Sequence, residues 1–444
     1  MKNVVEHLRT EKPEKRQEFI VDCFESCFGE NMETAPEAWR GKFRKMAATP
    51  FAFYRGSAIL FYADVVRDDD PFQNEKTSRV WIQGDLHAEN FGTYMNGAGK
   101  LVFDVNDFDE AYVAPFTWDL KRLVASLALI GYEKAMSDGE IRQMIAAIVE
   151  GYLDQVAQFA SGRTTPDFAL TLDNTKGKLN ELLQEARLQT RIGLLNRFTS
   201  IENYDRRVTI SKYNKPLSKT RREKVEAAFQ RYLETIPAGK RFGAKHYQIK
   251  DVTATAGMGI GSAGLSMYTL LLEGPTQALE NDVMISMKQA QIASPSRVIN
   301  NPEIERQFEH NGHRTVLSQR ALQAYADPWL GYTTLDGVGQ FVAEVSPYTY
   351  ELEWGNLNEL KDILETLDYM GRAVAKIHCV SDVDSDHTVV PFSTDKAIQD
   401  ALQGQETAFV EMMTSFGEGY GAVVRDDHRL FVDAFRNHKF KALQ

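Results

Sequence analysis

Gly84-Asp-Leu-His-Ala-Glu-Asn90 and Phe103-Asp-Val-Asn-Asp-Phe-Asp109 decide the reading of this chain. Between them lie two apolar runs, 91–95 and 101–105, joined by Asn96-Gly-Ala-Gly-Lys100. Asn-Gly supplies the positive-φ positions that a hairpin turn needs. Pairing Met95 with Leu101 sets Asn90 opposite Asn106, ~5 Å across the ladder, with Asp107 next to it. A carboxylate and an amide from one loop end, Asp85 and Asn90, then meet the Asp107 carboxylate at the mouth of the hairpin. Hard oxygen donors clustered this way suit Mg²⁺, which takes one or two carboxylates together with waters and phosphate oxygens. Asp85 is left to orient or deprotonate a nucleophile.

Outward from the hairpin, a helix is predicted around 17–28, another leading from 51–57 through 64, and a short strand over 80–83. Leu120, Leu123, Val124 and Leu127 share one helical face, as do Ile141, Met144, Ile145, Ile148, Val149, Tyr152 and Val156. A polar stretch, 160–240, reads as mostly helical in its second half. Its basic run, 212–224, reads as a solvated helix face. Strands follow at 265–272, 283–288, 329–335 and 340–345, with a helix near 316–325. The last long helix spans 360–377. A β-rich block between two α-rich blocks is an α+β layout rather than alternating βαβ. The predicted units are 1–240, 241–345 and 346–444.

The 444 residues are 43% hydrophobic and carry a net charge of −11. This excludes a mainly disordered chain, and it gives no general attraction to nucleic acid or anionic lipid. Neither a nucleic-acid partner nor a membrane is expected. The charged start lacks the apolar run of a signal peptide, and the longest apolar stretch, 123–132, is too short for a span of ~20 residues. Three cysteines form no disulfide framework, and Cys23 and Cys27 have no second pair to complete a zinc site. A reducing cytoplasm is expected.

Asp85-x₄-Asn90 has the spacing of the catalytic loop of protein kinases and antibiotic phosphotransferases. The longer string 84–90 resembles its aminoglycoside phosphotransferase form. Asn106-Asp-Phe-Asp109 resembles the Asp-Phe-Gly metal motif with Asp in place of Gly, and Trp118-Asp-Leu120 resembles the Asp-Leu that opens the next helix. The resemblance implies Asp85 as catalytic base, Asn90 and Asp107 as Mg²⁺ ligands, and Asp119 as a brace for the loop.

Gly259-Ile-Gly-Ser-Ala-Gly264 matches G-x-G-x-x-G, yet the residues after it are strand-like, which argues against a dinucleotide-binding turn. A Gly-rich loop between strands is the kinase way of covering ATP phosphates with backbone N–H groups. Gly259, Gly261, Gly264 and the Ser262 hydroxyl are the candidate donors. Lys288, at the end of the next strand, is the candidate phosphate clamp. Its partner carboxylate is sought among Glu303, Glu305 and Glu309, with Glu305 preferred.

The order is inverted relative to a kinase, since the catalytic loop precedes the Gly-rich loop and the lysine. Gly371-Arg-Ala-Val-Ala-Lys-Ile-His378 resembles the helix end that precedes the catalytic loop in the phosphotransferases. The whole resembles a two-lobed, circularly permuted protein-kinase-like fold. Over nearly its full length it also resembles the uncharacterised bacterial family known as domain of unknown function 2252. Segments 49–56, 84–92, 106–120, 259–264 and 287–288 carry that likeness, while Lys288-Gln-Ala290 stands where the family has Lys-Glu-Ala. The resemblance implies a phosphotransferase using ATP and Mg²⁺ on an unknown small-molecule or protein acceptor. The alternatives are a nucleotidyltransferase, an ATP-binding regulatory pseudokinase, and a metal-dependent hydrolase using Asp85, His87, Asp104 and Asp107. Arg55 is expected to reach a phosphate or brace an acidic loop, and His87 to support the loop.

Overall fold

The structure is a computed structural model that describes residues 3–255, 264–383 and 389–444. Five helices precede any strand: α1 (Val4–Thr10), α2 (Pro13–Thr34), α3 (Pro36–Met46), α4 (Pro50–Gly56) and α5 (Ala58–Val65). Proline occupies the first turn of α2, α3 and α4, where its missing N–H costs nothing. The Thr49 hydroxyl caps α4 by accepting from Ala52 N at 3.1 Å.

The chain then forms β1 (Val80–Ile82), β2 (Phe91–Met95), β3 (Leu101–Val105) and β4 (Tyr112–Ala114). The expected hairpin has the expected register, from Phe91 opposite Val105 to Met95 opposite Leu101. Two long helices follow, α6 (Phe116–Glu133) and α7 (Asp138–Ala160), then α8 (Gly177–Arg187) and α9 (Arg191–Phe198). A β5–β6 hairpin (Thr199–Glu202, Asp205–Val208) and β7 (Asn214–Pro216) lead into α10 (Lys219–Thr235).

Next come β8 (Ile249–Thr255), β9 (Met267–Leu272), β10 (Val283–Gln289), the short α11 (Pro302–Glu305), α12 (Asn311–Leu322), β11 (Gly331–Leu335) and β12 (Val338–Glu344). These strands and β7 make a six-stranded antiparallel sheet in the order β11-β12-β10-β9-β8-β7. Val225, Phe229 and Tyr232 of α10 join Leu270, Ile285 and Val342 in its core. The boundary expected at 240/241 therefore falls inside this core, because the apolar face of α10 covers the sheet.

After β12 the chain crosses at Ser346-Pro347 and adds β13 (Tyr350–Glu351) to the edge of β2, giving a second sheet, β13-β2-β3. The helices α13 (Leu360–Val380), α14 (Thr394–Leu402) and α15 (Glu406–Arg436) complete the fold. It is α+β, as expected. Helix α13 lies directly on α7: a Cβ on Gly371 would come within 2.1 Å of Ile148 O, so only glycine permits the contact. No helix among the described residues is long and apolar enough to cross a membrane.

The two chain ends are joined by one buried arginine. Arg16 of α2 reaches Asp64 of α5 at 2.6 Å and Asp427 of α15 at 2.7 Å, and the Tyr420 hydroxyl donates to Asp64 at 2.8 Å. Arg16→Leu would leave two buried carboxylates facing each other. It is expected to cost ~3–5 kcal/mol, as removal of one partner from a buried ion pair does. Urea unfolding measures this, and a loss below ~1 kcal/mol would show that the triad holds little.

Candidate active site

The site begins where β1 ends. The backbone N–H groups of Gln83 and Gly84 donate to the two oxygens of Asp119, at 2.6 and 3.0 Å. Asp119 is fully buried in the first turn of α6, and His378 Nε2 of α13 lies 3.3 Å from its Oδ2. It braces the loop, as the resemblance implies. Gly84 has φ +84°, and a Cβ there would lie 1.9 Å from Glu110 O. Glycine is thus required both for the left-handed turn and for the close passage of two loops.

Asp85 follows. Arg122, one turn further along α6 than Asp119, donates through Nε to Asp85 Oδ1 at 2.8 Å. The guanidinium lies 4.4 Å over the Tyr54 ring and gives Nη2 to Tyr54 O at 3.1 Å. Burial pushes the Asp85 pKa up, and Arg122 opposes that shift. Asp85 Oδ2 makes no hydrogen bond among the described residues, and His87 Nε2 lies 3.9 Å from it. Burial holds the His87 pKa well below its ordinary value, so the ring is neutral. Its Nδ1 accepts from Glu89 N at 3.2 Å, the loop support expected of it. Arg55 braces the same loop through an ion pair with Glu89. Asn90 is buried, with Nδ2 donating to Asp85 O at 2.9 Å. That bond fixes the amide and leaves Oδ1 as its remaining acceptor.

The second loop leaves β3 beside the first, Asn106 N donating to Asn90 O at 3.1 Å. Asp107 has φ +55°, a conformation in which Asp is tolerated. Its side chain opens to solvent, and its pKa is pushed up to about 6 by lost hydration within the cleft, then by the charge of Asp109, with Lys288 opposing. Glu110 is pushed up to about 7 by burial and by Asp85. It accepts from Gln291 Nε2 at 3.1 Å and from Ser294 N.

Lys288, at the end of β10, crosses to this loop and forms an ion pair with Asp109. Buried Arg314 of α12 fastens the same junction, donating to Asp109 O at 2.7 Å and Gln291 O at 2.9 Å. Asp85, Asp107, Asp109, Glu110 and Lys288 line one cleft, which holds about 760 Å³ including its open mouth. Its opposite wall comes from the N-terminal helices and includes Phe28, Lys42 and Arg55.

The structure therefore brings Asp85, Asp107 and Lys288 together from segments far apart in sequence. Asn90 stands beside Asp85 but is not one of the side chains lining the cleft. Glu305 is not the partner of Lys288: it is exposed at the end of α11, while Asp109 holds the ammonium. Asp109 occupies the position where the resembling motif has Gly, and that departure is the sequence signal for the pairing. Gly259, Gly261 and Ser262 lie outside the described residues. Gly264 is exposed with φ +77°, and a Cβ on it would stand 3.2 Å from Ala35 Cβ and 3.5 Å from Trp39 Nε1, against the start of α3. Arg122, Arg314, Glu110 and Lys42 were not legible as site residues, although Arg122 shares a helix face with Asp119 at i,i+3. Among the described residues no group of three or more His, Cys, Asp or Glu side chains is arranged to hold a metal ion by itself.

The family model described as "Uncharacterized protein conserved in bacteria (DUF2252)" matches residues 34–434. No curated protein and no solved structure matches the chain.

Proposed function

The chain belongs to this bacterial family, and we propose that its cleft is the active centre of a Mg·ATP-dependent phosphotransferase on a circularly permuted protein-kinase-like framework. The observation that carries the reading is the Lys288–Asp109 pair. It closes the six-stranded sheet onto the two acidic loops, so that a phosphate-binding cation shares a cleft with Asp85 and Asp107. The crossing at Ser346-Pro347 supports the permuted framework. It joins the sheet that bears Lys288 to the sheet that bears the acidic loops, as a hinge between lobes does.

Hard oxygen donors are at hand for a magnesium ion: Asp107 lines the cleft as a solvent-accessible carboxylate, and Asn90, beside Asp85, uses only Nδ2 in its bond to Asp85 O. Mg²⁺ would be held by Asp107 and phosphate oxygens, with Asn90 Oδ1 joining from beside Asp85. Bound there, the ion supplies neutralisation of the charge that develops on the transferring phosphoryl group. Lys288 binds the phosphates, exchanging its hold on Asp109 for the incoming anion. Asp85 orients the acceptor hydroxyl through Oδ2 while Arg122 keeps Oδ1 fixed. The acceptor oxygen bonds to the γ-phosphorus as the bridging oxygen bond to ADP breaks, and the hydroxyl proton passes to Asp85 Oδ2.

Calorimetric titration with ATP, with and without Mg²⁺, tests the reading. Binding at or below millimolar nucleotide that requires Mg²⁺ is expected, and no heat at millimolar Mg·ATP would remove it.

A pH dependence follows from the two raised carboxyls. Asp107 at about 6 and Glu110 at about 7 stand above the ordinary carboxyl value of about 4. Protonation therefore stabilises the fold at low pH, and this contribution is lost as pH rises through about 6 and about 7. Mg²⁺ competes with the proton on Asp107. The rise in Tm on adding Mg²⁺ is expected to be larger at pH 8 than at pH 5.5, and an equal or reversed difference would contradict Asp107 as a ligand.

A further inference from the structure

The cleft wall formed by the N-terminal helices has no part in nucleotide binding as proposed above. Lys42 of α3 lies on it, only 8% exposed, with Nζ 4.7 Å over the Trp39 ring and 5.5 Å over the Phe28 ring. Among the described residues no carboxylate comes within the 4.0 Å of an ion pair with this ammonium. Burial lowers its pKa to about 8, with the charges of Glu110 and Asp85 opposing. A buried ammonium held by two rings alone is costly, and an arriving anion offsets that cost. Arg55 stands on the same wall. It spends Nη1 on Glu89, while its buried Nε has no hydrogen-bond partner among the described residues.

On the phosphotransferase reading, we propose that Lys42 and Arg55 form the acceptor subsite and hold an oxyanion, phosphate or carboxylate, of a small acceptor whose hydroxyl faces Asp85. With Lys288 committed to the triphosphate, Lys42 and Arg55 are the remaining cations of a cleft that also holds four carboxylates. The triphosphate already has Lys288 and the metal ligands, which come from different elements. Phe28 and Ile59 give the wall an apolar floor that excludes water from the ammonium.

Inorganic phosphate and, separately, acetate are titrated into protein saturated with Mg·AMP-PNP, so that the triphosphate position is filled. At least one anion is expected to bind in the millimolar range. Lys42→Met is expected to weaken it about tenfold or more, and Arg55→Gln several-fold, as loss of charge-assisted hydrogen bonds does. AMP-PNP affinity stays within about threefold in both variants. Phosphate binding marks a phosphorylated alcohol as the acceptor, and acetate binding alone marks a hydroxy acid.

The proposal is overturned if neither anion binds the saturated protein or if Lys42→Met leaves anion binding intact. It is also overturned if Lys42→Met weakens AMP-PNP about tenfold, which would place Lys42 on the nucleotide. Arg55→Gln carries the same test should Lys42→Met not fold. Loss of AMP-PNP binding by the unaltered protein removes the phosphotransferase reading instead. The same anion titration of nucleotide-free protein and the two variants then still reads the anion site by itself.

Discussion

Asp85→Asn is expected to lower phosphoryl transfer by ~10² or more while leaving Mg·ATP affinity within about threefold. The substitution keeps an oxygen for Arg122 Nε, which now reaches Asp85 Oδ1 at 2.8 Å. The loop, pinned by Asp119 at Gln83 and Gly84, keeps its shape. What is lost is the oxygen that orients the acceptor and takes its proton, an interaction made after the nucleotide is bound. The fully buried Arg122 also loses its counter-charge, so the variant is expected to be ~1–3 kcal/mol less stable. Turnover and calorimetric affinity on the same preparation test the assignment. A parallel loss of Mg·ATP affinity would move Asp85 into the nucleotide site.

Asp107→Asn is expected to do the reverse, weakening Mg·ATP by ~10–100-fold and abolishing its dependence on Mg²⁺, since loss of one charged ligand costs ~1.4 kcal/mol per tenfold. Asn tolerates the left-handed backbone at φ +55°, so the loop is not strained by the change. Removing a carboxylate charge from beside Asp109 also relieves repulsion. The nucleotide-free variant is therefore expected to melt at or above the temperature of the unaltered protein, and its Tm should no longer respond to Mg²⁺. A lower melting temperature with Mg²⁺ response retained would show that Asp107 is structural.

The two acidic loops were legible because their geometry is local. Two apolar strands about one short turn set the register from Met95 and Leu101, and Asn106 N on Asn90 O follows from it, although the left-handed residue of the turn is Gly99 (φ +74°) and not Asn96-Gly97 as expected. The helix α13 was legible by its 3.6-residue period, and its placement beside Asp119 through His378 agrees with the loop it was expected to support. The partner of Lys288 was not legible in the same way. The expected partner, Glu305, lies on the segment before Val316, whereas Asp109 lies 179 residues away and meets the lysine only because the sheet folds onto the loop. The sheet itself recruits β7 and α10 from a stretch that read as polar. There the apolar set Val225, Phe229 and Tyr232 is diluted by basic residues such as Arg221 and Lys224, which pair with Asp336 at the sheet edge. Lys42 was invisible because a lysine on an amphipathic helix is ordinarily solvated, and only the packing of Trp39 and Phe28 buries it.

The central claim, that this cleft transfers the terminal phosphoryl group of ATP, is tested most directly by labelling. The protein is incubated with Mg²⁺, an extract of small metabolites and proteins, and ATP carrying label at either the γ- or the α-phosphorus. The account predicts that γ-label moves onto an acceptor, that α-label stays in ADP, and that Asp85→Asn abolishes the transfer. Transfer of α-label, or Mg·ATP binding with no movement of either label, would contradict it.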